Sequence, residues 1–114
     1  MANANAPLPT AQLRLNVPVT SPNGSLALVG AGSAQVIGAN AQRRGIIFIN
    51  CHPTATIYVT PANQTPSAGQ GIPILAQAQL QLIGDPTTNI AFNCGWNACS
   101  DGTSNVPLEI LELL

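Results

Sequence analysis

Apolar and polar residues alternate with a period of two along most of the chain, the spacing of half-buried β-strands rather than helices. Over Gln12 to Val19, the residues Leu13, Leu15, Val17 and Val19 share one side, and Pro18, which lacks an amide proton, marks an edge strand. Leu26 to Val29 reads as the return strand of a first hairpin, and Ala34 to Gly38 as a short strand. The run Arg44 to Cys51 is apolar on both faces and is expected to be the most deeply buried. After the polar break Cys51-His52-Pro53, Thr54, Thr56, Tyr58 and Thr60 alternate with Ala55, Ile57 and Val59. These two runs read as a central antiparallel pair. Further strands are expected at Ile72 to Leu75, Gln77 to Ile83 and Asn89 to Cys94. Val106 to Leu114 has a helix-compatible composition, but its nine residues and the proline near its start favour a terminal strand.

Turn chemistry separates these runs. Ser21-Pro22-Asn23-Gly24 joins a preset φ to residues that accept positive φ, and Asp101-Gly102 is a hairpin signal. Gly30-Ala31-Gly32-Ser33 reads as a hinge-like loop, Gly84 to Thr88 as a turn, and Gly95 to Ala98 as an aromatic-bearing kink. Pro61 to Gly71 is a long polar loop of the kind that carries recognition at the end of a sandwich. About eight short strands with frequent turns predict an all-β, small antiparallel β-sandwich or jelly-roll-like domain. The expected organisation is an extended N-terminal arm over residues 1–11, a β-hairpin over 12–29 and a sandwich over 30–114. The arm, rich in Ala, Asn and Pro, is expected to lie along a neighbouring subunit.

Charge changes the picture. Only 6% of the 114 residues are Asp, Glu, Lys or Arg, against about 25% in ordinary soluble domains. Such depletion is typical of the cores of protein–protein interfaces, so much of the surface is expected to face other subunits. A secreted domain with an amide-rich surface is the plainer alternative. A net charge of −1 and three scattered arginines argue against nucleic-acid binding. No apolar run reaches the length of a membrane helix, and the N-terminus lacks the charged and apolar regions of a signal peptide.

Candidate chemistry is sparse. Asp85 and Asp101 sit in turns; Glu109 and Glu112, three apart on a strand, point to opposite faces and make no acid/base pair. His52 precedes a proline in a loop and nothing orients it as a base for Cys51 or Cys94, so no enzyme, metal or cofactor is expected. Cys94 and Cys99 could close a small disulfide loop; in a reducing compartment all three cysteines would serve as small buried hydrophobes. Trp96 is either a stacking or anchor surface or a core lid. Arg43 and Arg44 either bind a neighbour's carboxylate or carbonyls or simply mark a strand's edge. Candidate partner contacts are Pro7, Leu8 and Pro9 in the arm, Leu13 and Leu15 in the hairpin, and Arg43, Arg44 and Trp96.

Several segments taken in order resemble the small β-sandwich structural proteins of tailed-bacteriophage virions. They are Arg43-Arg44-Gly45-Ile46-Ile47-Phe48-Ile49-Asn50, Thr56-Ile57-Tyr58-Val59, Gly69-Gln70-Gly71-Ile72-Pro73-Ile74 and Leu108-Glu109-Ile110-Leu111-Glu112. The resemblance covers residues 35 to 114; the Cys94–Cys99 insert and the 12–29 hairpin depart from it. It implies a virion location, with assembly in the host cytoplasm, and a capsid decoration (cement) protein that binds the assembled shell and stabilises it through arm and sandwich contacts. Its implied partners are its own copies, as a homotrimer, and the major capsid protein or other virion subunits. The alternative it leaves open is a tail or fibre module binding a host-surface glycan through the 61–71 loop or Trp96.

Overall fold

The computed structural model describes residues 23–84 and 92–114. Among them are eight strands: β1 (Asn23–Val29), β2 (Ala34–Ile37), β3 (Gly45–Asn50), β4 (Ile57–Pro61), β5 (Ile72–Ile74), β6 (Gln79–Ile83), β7 (Trp96–Ser100) and β8 (Val106–Leu113). They form two four-stranded antiparallel sheets, ordered β1-β8-β3-β6 and β2-β7-β4-β5. The first strand therefore pairs with the last, the second with the seventh, the third with the sixth and the fourth with the fifth. A long hairpin of paired strands wrapped into two sheets is the jelly-roll arrangement, and the all-β sandwich expected from the sequence is what the chain forms.

The interior follows the period-two pattern. Ile46, Phe48, Ile57, Val59, Ile74, Val106, Leu108 and Ile110 are all buried between the sheets. Phe48 of β3 meets Trp96 of β7 edge-to-face, with ring centroids 5.6 Å apart and planes at 66°, which ties one sheet to the other across the core.

Several local expectations give way to non-local pairing. β3 and β4 do not pair with each other: β3 lies between β8 and β6, and β4 between β7 and β5. They belong to opposite sheets, because both runs carry apolar residues that face one core and the Cys51–Thr56 segment carries the chain across it. Asp101-Gly102 likewise links β7 to β8 between sheets and does not turn a hairpin; only the β4–β5 connection stays within one sheet. Asn23 and Gly24, expected in a turn, are the first residues of β1 and face Glu112 and Leu111 of β8. Gln77, expected in a strand, takes a left-handed φ of 60° in the turn closed by the Ala78 N–H donating to the Leu75 carbonyl at 3.0 Å. Trp96, expected in a kink, opens β7, a central strand, whereas Phe92 to Cys94 are not strand and residues 89–91 lie outside the described residues. The outgoing limb of the 12–29 hairpin and the 1–11 arm also lie outside them.

Candidate interaction surface

Each end of the sandwich is closed by one buried polar side chain. At the first end, Arg43 is 2% exposed and Glu112 8%. The Arg43 Nε donates to Glu112 Oε2 at 2.8 Å, and Nη2 forms an ion pair with the same oxygen at 2.8 Å. Nη1 donates to the carbonyls of Phe92 (3.1 Å) and Cys94 (2.6 Å), and Nη2 to that of Gly38 (2.6 Å). Asn40 Nδ2 adds a 3.3 Å bond to the same carboxylate oxygen. One guanidinium thus joins the end of β2, the approach to β7 and the end of β8. The alternation of β8 explains the carboxylate's position: Val106, Leu108, Ile110 and Glu112 share the inward face, while Glu109 points out and is exposed.

At the other end, Asn50 is fully buried. Its Nδ2 donates to the carbonyls of Ala55 (2.8 Å) and Ile74 (2.9 Å), and its Oδ1 accepts the His52 N–H (3.0 Å). His52 Nδ1 accepts the N–H groups of Thr54 (3.1 Å) and Ala55 (2.9 Å), which places the ring proton on Nε2. The imidazole is therefore committed to holding the β3–β4 crossover. Among the described residues no group of three or more His, Cys, Asp or Glu side chains could hold a metal ion.

The outer faces of the two sheets differ. On the β2-β7-β4-β5 sheet, the 61–71 loop folds back: Asn97 Nδ2 donates to the carbonyls of Gln64 (2.9 Å) and Ala62 (3.4 Å), and Thr60 Oγ1 to that of Gln64 (3.1 Å). The loop's tip is a two-residue turn in which Ser67 and Gln70 exchange backbone hydrogen bonds, with Gly69 at a φ of 83°. The β1-β8-β3-β6 sheet has no such cover among the described residues. Its register sets Leu26 beside Glu109 and Ile49, Gly24 beside Leu111 and Ile47, and Leu113 beside Gly45 and Ile83. Leu26 is 65% exposed, Leu28 66% and Ile83 52%; Ile47, Ile49, Leu111 and Leu113 are half-buried by their neighbours in the sheet. Among the described residues Glu109 is the one acidic or basic side chain on this face, and the exposed Gln79 and Gln81 of β6 lie beside Ile49 and Ile47. Covering each of the two exposed leucines would be worth about 1–2 kcal/mol.

Of the residues expected to touch partners, Pro7, Leu8, Pro9, Leu13 and Leu15 lie outside the described residues. Arg43 is corrected: its guanidinium is consumed by Glu112 and three carbonyls of its own chain. Trp96 is corrected too: it is 3% exposed and packs on Phe48 as part of the core, with its Nε1 unpartnered among the described residues. Arg44 is exposed, and its backbone joins both neighbouring strands, its N–H donating to the Leu113 carbonyl (2.7 Å) and its carbonyl accepting the Gly84 N–H (2.6 Å). The apolar sheet face was not singled out in the sequence. Its signal is the doubly apolar run of β3 beside the outward leucines of β1 and β8.

The cysteines are all free. Cys51 and Cys94 are exposed and Cys99 is buried, and burial pushes the Cys99 thiol pKa up. Under native conditions a thiol reagent should therefore titrate two cysteines promptly and the third only on unfolding; three fast thiols, or one, would contradict this arrangement.

Asp101 fastens the β7–β8 crossing. Its carboxylate accepts the Thr56 N–H (3.1 Å) and the Thr103 hydroxyl (2.9 Å), and its own N–H donates to the Thr56 carbonyl (3.0 Å). The Thr56 N–H, then the Thr103 hydroxyl, hold its pKa below the ordinary carboxylate value. In the unfolded chain the group takes its proton at higher pH than in the folded one. The stability it supplies is thus present above the ordinary value and is lost as pH falls through the lowered one. Urea midpoints followed from neutral to acid pH should fall for the native chain, and Asp101→Asn should flatten that slope.

No family model, curated protein or solved structure matches this chain.

Proposed function

We propose that this chain is a virion structural protein without catalytic activity, a capsid decoration (cement) protein that binds the assembled shell through protein–protein contacts. The observation that carries this reading is the apolar face of the β1-β8-β3-β6 sheet, uncovered among the described residues, in a chain with only 6% charged residues. A lone soluble domain separates itself from its neighbours by charge; this one instead offers leucines and isoleucines. The jelly roll supports the reading by analogy alone, since that architecture builds viral capsid domains and lectin domains alike. The buried polar end clusters also fit a scaffold role, because they spend the polar side chains on holding the sandwich rather than on an open site. Stabilisation of the shell then follows from binding the assembled form and not its dissociated subunits. The partners are further copies of the chain, as a trimer, together with shell subunits.

The test is co-sedimentation with purified bare shells. The native protein should pellet with shells and raise their dissociation temperature, and a Leu26→Glu/Leu28→Glu variant should remain folded and stay in the supernatant. Equal binding by the two proteins would count against this face. The tail or fibre reading now rests on the 61–71 loop, because Trp96 is inside the core. A glycan-array signal lost on shortening that loop, with no binding to shells, would favour it.

A further inference from the structure

Residues 51–56 carry the chain from β3 in one sheet to β4 in the other, and three side chains hold this link. Asn50 bonds the Ala55 carbonyl and the His52 N–H. Asp101 accepts the Thr56 N–H. His52 accepts the N–H groups of Thr54 and Ala55. Acid acts differently on each. An amide does not titrate, a carboxylate takes its proton only in stronger acid, and imidazole is the side chain that ordinarily changes charge between about pH 5 and 8.

We propose that His52 is an acid-sensitive latch: its neutral ring holds the β3–β4 link closed, and a second ring proton, taken up at Nδ1, opens the link while the rest of the sandwich stays folded. The local sequence builds the acceptor. Pro53 has no N–H and a fixed φ, so the next two N–H groups, of Thr54 and Ala55, are the ones turned back to the ring, at 3.1 and 2.9 Å. A neutral imidazole accepts through one nitrogen, and the charged ring has donors alone. A proton on Nδ1 would point at two N–H groups, and both bonds would be lost. The Thr54 hydroxyl, 3.5 Å from Nδ1 and exposed, is the acceptor within reach of that proton, but taking it answers neither N–H. Ala55 is 2% exposed and belongs to the core, so its freed N–H meets water only when the link moves.

The titratable groups around the link are the exposed Cys51 beside the ring, Asp101 of the β7–β8 crossing at Thr56, and Glu109 of β8 opposite Ile49. Among the described residues no carboxylate forms an ion pair with the imidazole, so none offsets its charge by contact. The Thr56 N–H, then the Thr103 hydroxyl, keep the Asp101 carboxylate ionised below the ordinary range. Asp101 and Asn50 therefore still hold their ends of the link where His52 has let go, and the opening is local. The latch does not depend on the proposed function.

The experiment reads amide protection factors, corrected for the intrinsic effect of pH on exchange, by NMR of the full-length chain at about pH 8 and about pH 5. In the native protein, protection at Thr54 and Ala55 should fall about tenfold on acidification, while Phe48 and Ile110 in the central strands keep theirs. His52→Asn offers Oδ1 to the same two N–H groups and does not titrate, so it should stay closed at both pH values; His52→Ala should be open at both. Protection at Thr54 and Ala55 that is equal at the two pH values in the native chain would overturn the latch. So would a parallel loss in His52→Asn, which would assign the response to another group such as Asp101. Loss at Phe48 and Ile110 in step with Ala55 would make the event global unfolding and overturn it as well.

Discussion

Replacing Arg43 by Met should destabilise the protein by about 3–5 kcal/mol, the cost of stranding one member of a buried ion pair. The number follows from what the guanidinium leaves behind. Glu112, 8% exposed, would keep among the described residues only the 3.3 Å bond from Asn40, and the carbonyls of Gly38, Phe92 and Cys94 would lose their donor. Domains of this size hold about 5–15 kcal/mol in all, so the variant should be largely unfolded in mild urea, read by the midpoint of Trp96 fluorescence. Arg43→Lys should fall between the two, because one ammonium cannot satisfy acceptors fanned over four directions. Arg43→Met combined with Glu112→Leu should recover much of the loss, since an apolar pair removes the uncompensated charge. If the single variant melted like the native chain, the cluster would not be closing this end of the sandwich.

Asn50→Leu should be nearly as damaging at the opposite end. Leucine has the same branched outline and is the larger side chain, so no cavity is made, but the Ala55 and Ile74 carbonyls and the His52 N–H lose their partners. A buried group left unpaired costs about 1–3 kcal/mol, so a combined loss of about 3 kcal/mol or more is expected. It should appear as a lowered urea midpoint together with faster amide exchange at His52 and Ala55. Asn50→Asp separates shape from hydrogen bonding: it keeps the acceptor, loses the donor and adds a buried charge, so it should be at least as unstable as Asn50→Leu at neutral pH.

Strand content was legible wherever a local period carried it. Val106 to Leu113 alternates cleanly, and the proline near its start set it apart from a helix of similar composition. Pairing was not legible, because a jelly roll joins residues far apart in sequence. β3 finds β8 and β6, and nothing in Cys51-His52-Pro53 says that the chain crosses to the other sheet there. β7 was missed for a different reason: Asn97, Ala98, Cys99 and Ser100 have weak strand propensity, and only the pairing on both sides with β4 and β2 makes them a strand. The Arg43–Glu112 pair left a readable trace. Glu112 falls on the inward parity of β8, and a carboxylate at that parity calls for a cation in a chain with only three arginines. The apolar outer face required knowing that β1, β8, β3 and β6 lie side by side, which is again a matter of topology.

The claim on which the proposed function turns is that the outer face of the β1-β8-β3-β6 sheet, uncovered among the described residues, is a contact surface. Sedimentation equilibrium of the native chain at physiological salt, over a wide range of concentrations, tests it most directly. The expected result is a mass that is a multiple of the 11.7 kDa chain, lowered to a single chain by Leu26→Glu/Leu28→Glu. A native protein sedimenting as one 11.7 kDa chain throughout that range would contradict it.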